Sequence, residues 1–132
     1  MGLAAQHASI AAWCDEAHVR ENRTRYREKF AAVVPMLESV LHVRYPDAGF
    51  YLWAGIPAGR WTNDASAQPG QADDAAFARE LFARTHVTVL PGQYLAREAH
   101  GVNPGRGYVR IALVPELADC VEAARRIVEF CR

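Results

Sequence analysis

The sequence predicts an α+β fold, a small sheet with helices layered on one face. Three observations carry that reading. Residues 4–41 place apolar side chains at spacings of three and four. Three short aromatic or β-branched runs are each bounded by turn residues. Residues 117–131 carry one continuous apolar stripe. Such stripes and half-buried strands must bury their apolar sides, and helices on one face of a sheet are the simplest way to do so. The 132 residues suit one domain, since domains commonly run to about 100–150 residues.

In order along the chain, Ala4 to Ala17 is alanine-rich, with Ile10, Trp13 and Ala17 at helical spacing. Asn22 is the candidate N-cap of a second helix, in which Tyr26, Phe30, Val33, Val34, Leu37 and Leu41 repeat at three and four. Pro35 lacks a donor and clashes with the preceding turn, which predicts a kink or break near Val33. Phe50 to Ile56 reads as a strand. Gly59 to Ala72 is rich in turn residues and reads as a mobile loop. Asp73 or Asp74 caps a helix bearing Phe77, Leu81 and Phe82 on one face. Val87 to Leu90 forms a second strand, stopped by Pro91-Gly92. Tyr108 to Val114 forms a third. Pro115 stands where a first helical residue would, ahead of the stripe Leu117, Cys120, Val121, Ala124, Val128 and Cys131.

Composition excludes several classes. Hydrophobic residues make up 51% and charged residues 23%, against disorder or a coiled coil. Fifteen basic residues balance fifteen acidic ones, so charge argues for neither nucleic acid nor membrane. No run of 18 apolar residues exists that would span a bilayer. Three cysteines without a CxxC point to a reducing cytosol. The basic set is fourteen arginines and a single lysine, Lys29. Any lysine chemistry has one candidate.

The remaining motifs have bland readings. Cys14 and His18 share an i, i+4 spacing, but zinc needs three or four ligands and no further pair supplies them. The run Arg20, Arg23, Arg25, Arg27 and Lys29 spreads around a helix and reads as a solvated face. Gly101 to Gly107 opens a strand instead of a helix, so it reads as a turn-rich connection and not a phosphate cradle. The three serines lie outside any GxSxG setting. Arg110 stands apart. Strand alternation gives Val109, Ile111 and Leu113 to the core and Tyr108, Arg110 and Ala112 to the other face. Two readings stay open: an outward arginine on a half-solvated sheet, or a site whose guanidinium fork pairs with a carboxylate.

The residues also carry a resemblance. Val87-Thr88-Val89-Leu90-Pro91-Gly92 followed by Gly107-Tyr108-Val109-Arg110-Ile111-Ala112-Leu113 resembles the C-terminal part of class I/II, fold type I, pyridoxal-phosphate (PLP) aminotransferases. Ala48 to Trp53 resembles the first strand of their small domain. Gln6 to Leu41 resembles the helices linking their two domains. More narrowly, Arg60-Trp61-Thr62-Asn63-Asp64, Tyr94-Leu95-Ala96-Arg97-Glu98 and His100 to Gly105 are similar to bacterial succinyldiaminopimelate aminotransferases.

The resemblance implies the small domain of the aspartate aminotransferase fold, a mainly antiparallel three-stranded sheet with helices on one face. Residues 1–42 would be the interdomain helical segment and 43–132 the small domain. It implies that Arg110 holds the substrate's α-carboxylate, and that Pro91-Gly92 turns the strand end towards the active site. Arg60, Arg97 and Arg106 are candidates for a distal or succinyl carboxylate. The Schiff-base lysine, the ring-nitrogen aspartate and the phosphate ligands have no match here, so this chain would be the last third of such an enzyme, without PLP and inactive alone. The parent reaction implied is amino transfer between glutamate and an N-succinylated 2-amino-6-oxopimelate, in a cytoplasmic homodimer. The rival is a free-standing α+β binding or regulatory module.

Overall fold

A computed structural model describes residues 2–57, 61 and 72–132. The element order is α1 (Leu3–Cys14), α2 (Ala17–Leu37), β1 (Tyr51–Gly55), α3 (Asp74–Thr85), β2 (Leu90–Pro91), a 3-10 turn at Gly92–Tyr94, β3 (Tyr108–Ala112) and α4 (Leu117–Cys131). The three strands form one antiparallel sheet in the order β1-β3-β2. Helices cover one face, as the apolar patterns require. Leu52 and Ala54 from β1, with Val109 and Ile111 from β3 and the following Leu113, meet Val33, Val34 and Leu37 of α2, Phe77 and Leu81 of α3, and Ile127 of α4. A T-shaped pair of Phe77 and Phe130 ties α3 to α4.

Several boundaries differ from the sequence pattern for physical reasons. The first helical stretch ends at Cys14, and α2 begins at Ala17, where Asp15 accepts the Ala17 N–H at 2.9 Å. The Cys14–His18 spacing therefore spans a break and does not put both side chains on one helical face. Asn22 lies inside α2 instead of capping it. Pro35 does not break α2 near Val33. The helix ends two residues later, so the ring falls in the last turn. Phe82 is exposed, unlike Phe77 and Leu81. The second strand contracts to Leu90–Pro91, with Val87 to Val89 outside the ladder. Pro115 precedes α4 by two residues, and Ile127 and Phe130 replace Leu117 in its buried face. Of the turn-rich run Gly59 to Ala72, only the buried Trp61 and Ala72 fall within the described residues.

Helix α1 buries none of its residues, and Leu3, Ile10 and Trp13 are all exposed. The second half of α2 behaves differently, packing along α4 as part of the core. Among the described residues no helix is long and apolar enough to cross a membrane.

On the outer side of α4, Arg125 and Arg126 both bond Glu122, and Arg125 also reaches Glu129. These bonds, from Arg125 first and then Arg126, pull the Glu122 carboxyl from 4.5 down to about 2. The folded value lies below the unfolded one. The stabilisation is therefore present above pH 4.5 and lost as pH falls from there towards 2. Glu122→Gln is expected to give a shallower fall of Tm across that window, read by circular-dichroism melts. Because the pair is solvent-screened, the effect should be small.

Candidate functional site

The face of the sheet away from the helices carries the one residue that pattern alone could not explain. Strand pairing sets Arg110 directly between Trp53 on β1 and Leu90 on β2. Tyr51 and Tyr108 complete the face, since each is an even number of residues from Trp53 or Arg110 along its strand. Trp53 and Leu90 are 42% and 37% exposed, so this is an open apolar surface with a guanidinium in its middle. The aromatics divide into two sets. Trp53 stacks on Tyr108, with centroids 5.6 Å apart and planes at 13°. Tyr51 lies under Arg110, whose Cζ is 4.3 Å from the ring centroid.

Arg110 is half-buried and, among the described residues, has no hydrogen-bond or ion-pair partner. A guanidinium lying on a ring uses its flat face there and keeps its N–H donors in the plane. The chemistry that completes such a group is a carboxylate held by two parallel hydrogen bonds. Of the other cationic candidates, Arg97 and Arg106 are exposed on the connection between β2 and β3. No hydrogen bond or ring contact links either to Arg110. Arg60 lies outside the described residues.

The connection between β2 and β3 is fastened by a buried carboxylate that sequence reading placed only at a helix cap. Asp73 is the cap of α3, accepting the Ala76 N–H at 2.8 Å. Asp74, wholly buried, turns the other way. Its two oxygens accept Gln93 N–H at 2.8 Å, Gln93 Nε2 at 3.0 Å and, at a longer 3.4 Å, Gly107 N–H. Asn103 donates to the Gln93 carbonyl at 3.0 Å and accepts the Gly105 N–H at 2.9 Å. Both ends of the loop are thus tied to the start of α3, and Gly107 leads straight into the strand bearing Arg110.

Gly92 and Gly105 touch backbone to backbone inside this loop. A Cβ on Gly92 would strike the Gly105 carbonyl, and would lie 2.8 Å from Trp53 Cη2 and 2.9 Å from the Tyr108 carbonyl. Gly92→Ala is therefore expected to cost about 1–3 kcal/mol as overpacking against rigid backbone. It should also push Trp53 off Tyr108, which a changed tryptophan fluorescence spectrum would report.

Lys29 corrects the expectation of a solvated basic face. Arg20, Arg23, Arg25 and Arg27 are exposed, but Lys29 is buried. Its Nζ donates to the carbonyls of Leu113 and Val114 at 3.1 and 3.2 Å and lies 5.1 Å from the Tyr26 centroid. It pins α2 to the end of β3. Among the described residues no cluster of three His, Cys, Asp or Glu side chains can hold a metal ion. Cys120 is a buried packing residue, with its thiol pushed up chiefly by burial.

The described residues thus form a three-stranded sheet with helices on one face and the Arg110 guanidinium on the other. The chain belongs to the class I and II aminotransferase family, whose model matches residues 3–127. It is 34% identical over 129 residues, 96% of this chain, to an LL-diaminopimelate aminotransferase of Nitratidesulfovibrio vulgaris, and spans 29% of that protein. A crystal structure of an aminotransferase from Neisseria meningitidis superposes with a TM-score of 0.84 at 48% identity, over 100% of this chain and 30% of that one. A probable N-succinyldiaminopimelate aminotransferase from Thermus thermophilus superposes with a TM-score of 0.67 at 34% identity, over 91% of this chain and 27% of that one.

Proposed function

We propose that this chain is the C-terminal small domain of a PLP-dependent aminotransferase, with residues 1–42 as its interdomain helices and 43–132 as the domain proper. In this reading Arg110 binds the α-carboxylate shared by the amino-acid and oxo-acid substrates. The observation that carries it is the guanidinium lying over Tyr51 on the open sheet face, without a hydrogen-bond or ion-pair partner among the described residues, in a chain that matches the family almost end to end.

The bound cofactor supplies the electron sink for amino transfer, and it needs a lysine for its imine. Lys29 does not fit that role, because its Nζ is buried and spent on two carbonyl oxygens in the helix layer. The imine lysine therefore belongs, in this reading, to residues outside these 132. Exposing the chain to PLP and then borohydride should leave no pyridoxyl label on Lys29 by peptide mapping. A labelled Lys29 would overturn this part of the proposal. The bare α1 suits cover by the rest of the enzyme or by a second subunit of a homodimer. The absence of disulfides among three cysteines suits a cytoplasmic enzyme.

For substrate we propose N-succinyldiaminopimelate with 2-oxoglutarate as amino acceptor, supported by the likeness to the Thermus thermophilus protein and by the residues around Tyr94 to Gly105. Relatives that act on unsuccinylated LL-diaminopimelate define the competing outcome. Assaying the full-length enzyme with both amino donors decides between them. Faster turnover of the succinylated donor is expected, and preference for LL-diaminopimelate would overturn the succinyl assignment.

A further inference from the structure

We infer that Tyr51 is a positioning residue for Arg110, the platform that holds the guanidinium in the geometry a carboxylate needs. The inference rests on the reading of Arg110 as a carboxylate site. Tyr51 pairs with Ala112, so Arg110 is its diagonal neighbour on the same face, within reach of a long side chain. The small Ala112 leaves the space over the ring open. The guanidinium fills it, with Cζ 4.3 Å from the centroid. Trp53, although directly opposite Arg110, is engaged with Tyr108 instead. Tyr51 is thus the aromatic that meets the charge.

The platform is itself braced. Phe50 lies 4.1 Å from the Tyr51 centroid, and Tyr26 of α2 lies 5.8 Å from Phe50. A flexible arginine on an open strand must lose rotamer freedom when it grips a ligand, and a group already held loses less. A ring under the guanidinium orders it without occupying any N–H donor. An acidic partner would also order it, but would compete with the substrate carboxylate. Tyr51 avoids that competition.

The test titrates the full-length enzyme, labelled with 15N-arginine, with 2-oxoglutarate while following the Arg110 Nε–Hε signal. The Hε resonance is expected upfield, over the ring face, in wild type and Tyr51→Phe, and downfield of both in Tyr51→Leu. Affinity for 2-oxoglutarate should fall about three- to tenfold in Tyr51→Leu and stay within about twofold in Tyr51→Phe, the range a cation–π contact supports. Rescue by phenylalanine separates the ring from the hydroxyl, and a fold defect would shift other arginine signals as well as this one. Wild-type affinity in Tyr51→Leu, or equal loss in both variants, overturns the platform. Arg110→Lys binding as tightly as wild type overturns the carboxylate reading itself. Loss in Arg110→Lys without loss in Tyr51→Leu sinks the Tyr51 inference alone.

Discussion

Asp74→Ala is expected to destabilise the domain by about 2–4 kcal/mol, because it strands the three donors that a buried carboxylate holds instead of removing a surface charge. The part-buried Gln93 N–H and Gln93 amide and the buried Gly107 N–H all lose their acceptor. Each buried donor left unpaired costs about 1–3 kcal/mol, and the relief of no longer burying a carboxylate offsets part of that sum. The carboxylate also sits in the first turn of α3, where the helix dipole favours negative charge by a further few tenths to about 1 kcal/mol. Thermal melts should show Tm lowered by roughly 10 °C for a domain of this size. Asp74→Asn keeps one acceptor oxygen but sets an amide donor against another donor, so its loss should be smaller but real. Asp73→Ala removes only the cap to Ala76 and should cost about 1 kcal/mol. If the two aspartates proved equivalent, the fastening of the 92–107 loop by Asp74 would be wrong.

The contrast between those neighbours shows what the sequence could reveal. Residues whose role follows from periodicity were legible. Val109, Ile111 and Leu113 are buried and Arg110 is not, because alternation in a strand is fixed by backbone geometry. The α3 cap was legible because an aspartate before a helical run satisfies a local donor. Asp74 was not, since its partners Gln93 and Gly107 are 19 and 33 residues away and no local pattern brings them together. The same reason hid Lys29, whose carbonyl partners lie 84 and 85 residues along the chain. Its neighbours' charges made a solvated face the natural reading, yet Lys29 shares the side of α2 on which Phe30 and Val33 are buried. Tyr51 was visible as part of an aromatic strand. Its partnership with Arg110 depended on the register of β1 against β3, which residue types alone do not set.

Arg110→Lys in the full-length enzyme is expected to lower kcat/KM by about 30- to 700-fold while leaving the fold intact. Lysine keeps the charge but cannot reproduce two parallel hydrogen bonds to a carboxylate. Removing one member of a desolvated, hydrogen-bonded pair costs on the order of 2–4 kcal/mol, and each 1.4 kcal/mol is about tenfold. The loss should appear for every amino donor and acceptor, because all share the α-carboxylate, whereas a residue gripping a distal carboxylate would penalise only the substrates that carry one. Stability should change little. Arg110 stands off the core face, and its replacement opens no cavity among Val109, Ile111 and their neighbours. The Tyr51 ring would still meet a cation, since an ammonium can take the place of the guanidinium over it. Steady-state kinetics with glutamate, together with cofactor occupancy by absorbance and a melt of each protein, separates these effects. Near-wild-type kcat/KM with glutamate would mean that the carboxylate is held elsewhere, and that Arg110 is an arginine resting on a tyrosine.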